Sequence, residues 1–277
     1  MTEKLKVRAT SKLILEAALP LYHSTLQQQY INAIDFSETN RFFYELKRRY
    51  PQIIEIVLLR KFGIRHFINE RMNAHPVQQA IILGAGLDPL SLYLLENYPQ
   101  LWKIIEVDNG DIAEKKAIYD RILPQQTLIH FAPCDITDTP LLRSFLAHSG
   151  YAPGQPAIIV FEGIIHYIPS SAFLDVMQLF RTPGHHNQVM LDYCLAGEDV
   201  PLACRPLHEG VLDILAANLP APLKVYSRRQ INAFLQELHA ASVEREPLHL
   251  TEKKRGLKPI QFKADGEGII ELLNFYI

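Results

Sequence analysis

The residues most closely tied to chemistry in this 277-residue chain are two glycines, Gly84 and Gly86, which follow an apolar run at 80–83. The apolar run predicts a buried strand, and the glycines directly after it predict a sharp turn. Because glycine has no side chain, such a turn also lets a ligand approach the backbone closely. The alternative is an ordinary tight turn that binds nothing.

Pro89, just after this turn, separates two classes of nucleotide ligand. The dinucleotide pattern G-x-G-x-x-G requires a third glycine at position 89, whereas proline suits the first turn of a helix. A pyrophosphate bound in the usual way is therefore not expected. A nucleoside ligand without phosphates fits better, and S-adenosylmethionine is the common ligand of that kind.

The next predicted strand, at 101–108, carries two acidic residues on one side of the extended chain, Glu106 and Asp108. In α/β nucleoside sites, an acidic residue about 20 positions past the glycines binds the ribose hydroxyls. Asp108 lies 22 positions after Gly86 and is nearer the strand end, so it is the predicted ribose ligand. Its alternative role is that of an N-cap on a helix predicted at about 111–121.

Two further predicted strands, at 127–131 and 156–161, lead into acidic residues, Asp135 and Glu162. Ligands of open α/β sheets bind outside the carboxyl ends of the strands. A glycine turn and three acids at successive strand ends therefore predict one binding site along this edge of the sheet.

Four sequence blocks resemble the leucine carboxyl methyltransferase family, whose members are class I, S-adenosylmethionine-dependent methyltransferases. The blocks are LGAGLD at 83–88, EVD at 106–108, DITD at 135–138 and FEGIIHYI at 161–168. The resemblance covers roughly residues 55–195. It implies a Rossmann-like α/β fold with a mostly parallel seven-stranded sheet, an antiparallel last strand and an N-terminal helical cap.

The resemblance also implies how the cofactor, S-adenosyl-L-methionine, is bound. Gly84 and Gly86 would face its methionine part, and Asp108 would bind its ribose. Asp135 and Ile136 would hold the adenine, with the Asp135 carboxylate accepting a hydrogen bond from the adenine amino group.

Four more residues have predicted roles: Glu162, Arg60 and Tyr167 from the same resemblance, and His166 from its place just past Glu162. Glu162 would lie near the amino group of the cofactor. Arg60 would contact the cofactor carboxylate, for which a guanidinium fork is a natural partner; its alternative is a solvated residue in a basic stretch. Tyr167 and His166 are the candidate catalytic residues, placed to face the substrate. The alternative for His166 is a hydrogen-bonded helix-cap residue.

The chain departs from the family directly after Asp88. Many members carry Thr-Arg there and a further arginine three positions later, where this chain has Pro89, Leu90 and Tyr93. This part of the pocket is therefore expected to differ from that of relatives.

Composition and charge exclude several classes of protein. The net charge is −2, from 28 basic and 30 acidic side chains, so no nucleic-acid partner is expected. No apolar stretch reaches the roughly 18 residues of a membrane span, and the amino terminus lacks a secretory signal, so no membrane partner is expected.

The three cysteines suit free thiols in a cytoplasmic protein. His185 and His186 have no third ligand at suitable spacing, so no metal site is predicted.

Hydrophobic patterning divides the chain into a helical cap or lid at 1–76 and a methyltransferase domain at 77–277, with an insert at about 195–225. A helix in the insert is expected to lie over the substrate. The predicted helices are 11–22, 38–50, 51–71, 207–217 and 227–239. The predicted later strands are 187–193, 257–263 and 268–277, the last two forming a hairpin.

The leading hypothesis is an S-adenosylmethionine-dependent O-methyltransferase that acts on a carboxylate of a small molecule or peptide. A carboxylate is ionised at neutral pH and needs no general base, whereas a phenol or alcohol does. The alternative is a non-catalytic protein that binds S-adenosylmethionine or another nucleoside on a methyltransferase scaffold. Pro89 disfavours a nicotinamide oxidoreductase.

Overall fold

The computed structural model describes residues 4–7, 9–37, 41–219, 221–256 and 260–277. The strands are β1 (Leu5–Lys6), β2 (Ile34–Asp35), β3 (Gln79–Leu83), β4 (Lys103–Asp108), β5 (Ile129–Pro133), β6 (Ala157–Phe161), β7 (Gln188–Cys194), β8 (Ala241–Pro247) and β9 (Ile270–Tyr276). The helices are α1 (Ala9–Ala18), α2 (Thr25–Asn32), α3 (Arg41–Arg49), α4 (Gln52–Ala74), α5 (Leu90–Asn97), α6 (Ile112–Ile122), α7 (Thr139–His148), α8 (Ser170–Gln178), α9 (Arg205–Ala216), α10 (Arg228–Glu237) and α11 (Leu248–Arg255).

Seven of the strands form one sheet in the order β5-β4-β3-β6-β7-β9-β8. Strands β3 to β7 pair in parallel, and β9 runs antiparallel to both β7 and β8. Every residue of β3, β6 and β7 is buried, as expected for parallel strands covered by helices on both faces. Because the strand order reverses between β3 and β6, a crevice opens at their carboxyl ends. The predicted fold is confirmed.

The predicted strand at 257–263 is wrong. Residues 260–263 form no strand, and residues 257–259 lie outside the described part of the chain. The strand beside β9 is instead β8. Strand β8 lies at the edge of the sheet, and its first five residues are half-buried or exposed, including the charged residues Glu244 and Arg245. It therefore lacks the apolar run by which the other strands are recognised.

The remaining predicted elements are present, with ends displaced by a few residues. The strand predicted at 127–131 is β5, two residues later, and the helix predicted at 38–50 is α3, with residues 38–40 outside the described part. Helices α2, α7, α8 and α11 and the short strands β1 and β2 are additional to the individually predicted elements. Helix α2 begins after Ser24, whose hydroxyl caps it by accepting a hydrogen bond from the Gln27 N–H.

Helix α4 joins the N-terminal helices to the sheet. It spans 23 residues and packs against α1, α3 and α11 and against strands β7 and β9. Gly63 makes this approach possible, because a Cβ at this position would overlap the Leu272 side chain of β9. The N-terminal helices and the sheet therefore share one hydrophobic core. Across the described residues, no helix has both the length and the apolar character needed to cross a bilayer.

Candidate active site

The turn after β3 has the left-handed backbone that its glycines allow, with φ of 64° at Gly84 and 48° at Gly86. A Cβ at Gly84 would overlap the Ile164 side chain, so this glycine is needed for packing against the segment after β6. A Cβ at Gly86 would meet no atom within 4 Å. The space in front of Gly86 is therefore open to a ligand, whereas the space at Gly84 is filled by protein.

Asp108, at the end of β4, is hydrogen-bonded to this turn. Its Oδ2 accepts from the Gly86 N–H at 2.9 Å, and its Oδ1 accepts from the Gly110 N–H at 2.6 Å. A carboxylate has about four acceptor positions, so Asp108 can still accept from two ribose hydroxyls. The N-cap of α6 is Asp111, which removes the alternative role for Asp108.

Glu106 lies on the same side of β4 as Asp108, but its side chain is fully buried. Its Oε2 lies 2.5 Å from Nζ of Lys115, which is also fully buried. Burial raises the pKa of Glu106, although the positive charge of Lys115 opposes this shift. The Lys115 Nζ also donates to the backbone oxygen of Asp88 at 2.6 Å. A buried ion pair thus holds the end of the glycine turn from inside the protein.

Five paired charges lie at the carboxyl ends of β3, β6 and β7. The Arg60 Nε donates to Glu162 Oε1 at 3.0 Å, and Arg60 Nη1 lies 3.8 Å from Asp192 Oδ2. The Lys61 Nζ lies 2.9 Å from both Asp88 Oδ2 and Glu162 Oε1. All five side chains are at most 13% exposed, which excludes a solvated Arg60. We call these residues the charged cluster.

Two acids of the charged cluster are poor proton acceptors. Burial opposes the ionisation of Asp88, but the charge of Lys61 contributes to lowering its pKa to about 2. Burial also opposes the ionisation of Asp192, whose pKa is nevertheless lowered by Arg60 and by a hydrogen bond with His166. A general base works best when its pKa is near the operating pH. Neither carboxylate is therefore suited to remove a proton from a substrate.

His166 lies in the segment after β6, and both of its ring nitrogens face oxygen atoms. Its Nδ1 is 3.2 Å from the backbone oxygen of Lys224, and its Nε2 is 3.4 Å from Asp192 Oδ2. This arrangement favours an orienting role over that of a general base. Since α8 begins at Ser170, His166 is not at its cap. Tyr167, the other candidate catalytic residue, is 53% exposed.

The predicted adenine ligands lie at the end of β5. Asp135 is exposed, and its Oδ1 accepts from the backbone N–H of Thr137 at 2.9 Å, whereas Ile136 is buried. The pairing of β4 with β5 sets Asp108 opposite Pro133. Asp135 therefore follows the strand next to Asp108, at the same edge of the sheet.

A cavity of about 300 Å³ lies between the strand ends and helices α1, α3, α4 and α9. The glycine turn, the charged cluster, His166 and Tyr167 form one end of it. The three predicted ligands of the adenosine part, Asp108, Asp135 and Ile136, lie outside its wall. The predicted residues thus fall into two groups, those that line the cavity and those that lie beside it along the edge of the sheet.

Two tyrosines connect the N-terminal helices to the glycine turn. The Tyr22 hydroxyl donates to Asp88 Oδ2 at 2.8 Å, and the Tyr30 hydroxyl donates to the Leu87 oxygen at 2.8 Å. Both side chains are fully buried. These contacts span 66 and 57 positions of the chain, which local patterning does not detect. Through these two contacts, the N-terminal part of the chain supports the glycine turn.

Lys61 is a member of the charged cluster that the sequence analysis did not single out. It lies one residue after Arg60 in α4 and contacts two carboxylates. A lysine in a helix is normally expected at the surface. One feature of the sequence could have indicated that Lys61 is buried: Arg60 and Lys61 together follow the apolar run at 56–59.

The family model described as "Leucine carboxyl methyltransferase" matches residues 11–181, which is more than half of the chain. A candidate S-adenosyl-L-methionine-dependent methyltransferase of Frankia alni is 27% identical over 137 residues. That match covers 48% of this chain and 45% of the Frankia protein, so the chain spans less than half of that relative's length.

Two solved structures share the fold over almost the whole chain. A candidate methyltransferase from Thermobifida fusca has a TM-score of 0.69 at 13% identity, covering 99% of this chain and 96% of that one. A DUF574 family protein from Streptomyces avermitilis has a TM-score of 0.65 at 11% identity, covering 99% and 98%. These likenesses show the fold alone, and the family model shows the family. The chain belongs to the leucine carboxyl methyltransferase family.

Proposed function

We propose that the protein is an S-adenosylmethionine-dependent O-methyltransferase that methylates a carboxylate of a small molecule or peptide. The observation that carries this proposal is the open space at Gly86, whose N–H donates to the Asp108 carboxylate and which shares a cavity wall with the charged cluster. Membership of the leucine carboxyl methyltransferase family supports the same activity.

The residues present fit the cofactor. Its methionine part carries both a carboxylate and an ammonium group, and the charged cluster offers both signs of charge within one wall of the cavity. Arg60 would hold the carboxylate and Glu162 the ammonium group. Asp108 would accept from the ribose hydroxyls, and Asp135 with Ile136 would hold the adenine at the open edge.

S-adenosylmethionine supplies an electrophilic methyl group: the acceptor oxygen forms the new C–O bond while the C–S bond breaks and its electron pair stays on sulfur. A carboxylate acceptor releases no proton in this exchange and therefore needs no base. This agrees with the lowered pKa values of Asp88 and Asp192 and with the engaged ring nitrogens of His166. His166 would orient Asp192, and Tyr167 would face the acceptor.

This chain lacks the arginines that many family members carry after Asp88, but another guanidinium group lies in this region. Arg65, from α4, stacks over the Tyr93 ring at 4.5 Å and over the Tyr22 ring at 5.4 Å. Its Nη1 donates to the Leu21 oxygen at 2.7 Å, so Arg65 is held by protein groups. We infer that Arg65 supports the turn near Asp88 and does not bind an acidic substrate.

Transfer of tritium from S-[methyl-³H]adenosylmethionine to the metabolites and peptides of a cell extract tests the proposed function. We expect labelled products that release volatile methanol in alkali, since methyl esters hydrolyse in base and methyl ethers do not. Label that resists alkali would contradict a carboxylate acceptor. Cofactor binding without any transfer would instead support a non-catalytic binder. Heat-denatured protein is the blank.

The cytoplasmic location stays a prediction. All three cysteines are free thiols, as that location requires. Burial raises the pKa of Cys194, which lines the cavity, to about 12, so its thiol is not a nucleophile at neutral pH.

A further inference from the structure

We propose that the methyl acceptor is a small monocarboxylate with an apolar carbon chain, which lies in the aliphatic part of the cavity. This acceptor class rests on the proposed function and narrows its substrate from "small molecule or peptide" to one chemical type. We call the aliphatic part of the cavity the apolar chamber. Its wall includes Leu15 of α1, Ile56 and Val57 of α4, Val211 and Leu215 of α9, and Ile269 before β9.

The distribution of charge in the cavity wall favours a single charged group on the acceptor. Among the described wall residues, every Arg, Lys, Asp and Glu belongs to the charged cluster, whose members pair with one another. The apolar chamber itself offers no charged partner among these residues. A second charge, carried at the far end of an acceptor, would find no charged partner within the chamber, which is unfavourable.

The polar groups of the wall are also too few for a peptide. Apart from the charged cluster, His166 and Tyr167, the described wall has only the Ser11 hydroxyl and the Cys194 thiol as polar side-chain groups. Each peptide residue carries a backbone donor and acceptor that need partners when buried. A carbon chain has no such requirement, and its transfer from water into the apolar chamber is favourable.

Helix α9 forms part of the wall of the apolar chamber. Val211 and Leu215, one turn apart, line the cavity, while Ala216 is exposed. Gly210 lets the helix approach the connection between α3 and α4 closely, because a Cβ at this position would overlap the Tyr50 hydroxyl. Helix α9 therefore contributes two aliphatic side chains to the chamber wall from a closely packed position.

Calorimetric titration of the full chain with straight-chain alkanoates of four, six, eight and ten carbons tests this proposal. We expect the dissociation constant to fall about fourfold for each added methylene until the chamber is full. Octanedioate and the pentapeptide Ala-Ala-Ala-Ala-Leu should each bind about tenfold more weakly than octanoate, or worse. An affinity that is independent of chain length, or a peptide that binds more tightly than octanoate, would overturn the proposal.

A pair of variants assigns the binding to α9. Leu215→Glu, which places a charge in the chamber, should abolish the dependence on chain length, whereas Ala216→Glu, with the same charge on the exposed face, should retain it. If both variants bind decanoate like the wild type, the chamber does not hold the chain. The wild-type series remains decisive if Leu215→Glu does not fold.

The alkanoate series is measured with and without S-adenosylhomocysteine, which separates the two proposals. Failure to bind S-adenosylhomocysteine would count against the proposed function. If S-adenosylhomocysteine binds but the dissociation constants of the alkanoates do not depend on chain length, only the proposal of the apolar chamber is contradicted.

Discussion

Replacing Lys115 with methionine is expected to lower the free energy of unfolding by about 3–5 kcal/mol, because the change leaves the Glu106 carboxylate buried without its partner. Both side chains are fully buried, and their charged atoms lie 2.5 Å apart. The variant also loses the hydrogen bond from Lys115 to the Asp88 oxygen, so the glycine turn loses a support. Urea unfolding followed by circular dichroism measures the change.

The adjacent lysine provides a matched control. Lys116 is 52% exposed and pairs with Asp120 one turn later in α6. Lys116→Met should therefore change stability by no more than about 0.5 kcal/mol. Adding Glu106→Gln to Lys115→Met should recover part of the loss, since it removes the unpaired charge. Equal effects of Lys115→Met and Lys116→Met would contradict the buried pair.

Arg60→Met is expected to weaken S-adenosylhomocysteine binding by about 30-fold or more, equivalent to about 2 kcal/mol. The change removes the proposed partner of the cofactor carboxylate and leaves Glu162 and Asp192 without their guanidinium neighbour. Arg60→Lys should be intermediate, because an ammonium group lacks the planar fork of arginine. Isothermal titration calorimetry measures all three dissociation constants.

Arg49→Met is the control for this effect. Arg49 is 54% exposed and pairs with Glu45 within α3, away from the charged cluster. Its replacement should leave the dissociation constant unchanged. If Arg60→Met folds and still binds S-adenosylhomocysteine like the wild type, Arg60 is not part of the cofactor site.

The part of the site that the sequence predicts is the part fixed by local structure. Strands β3, β4 and β6 are apolar runs with recognisable ends, and the residues just after a parallel strand must lie at its carboxyl edge. Gly86 and Asp108 are found together for this reason, joined by a 2.9 Å hydrogen bond across β3 and β4. Arg60 is different: its role is predicted from the family resemblance, and it reaches Glu162 from helix α4 across 102 positions of the chain.

What the sequence does not predict depends on contacts between distant segments. Lys115 and Lys61 are buried only because carboxylates from other elements surround them. Tyr22, between α1 and α2, and Tyr30 of α2 reach the glycine turn through packing that no local pattern describes. Strand β8 is not predicted because it lies at the edge of the sheet. An edge strand can carry charged residues, so β8 lacks the apolar run of a buried strand.

The most direct test of the account is calorimetric titration of the wild-type chain with S-adenosylhomocysteine, repeated with Asp108→Ala. We predict one equivalent bound at saturation in the wild type. We expect the variant to bind about 1–3 kcal/mol more weakly, because it lacks the hydrogen bonds of Asp108 to the ribose and to Gly86. The absence of saturable binding to the wild type would contradict the cofactor assignment, and equal binding to both would remove Asp108 from the site.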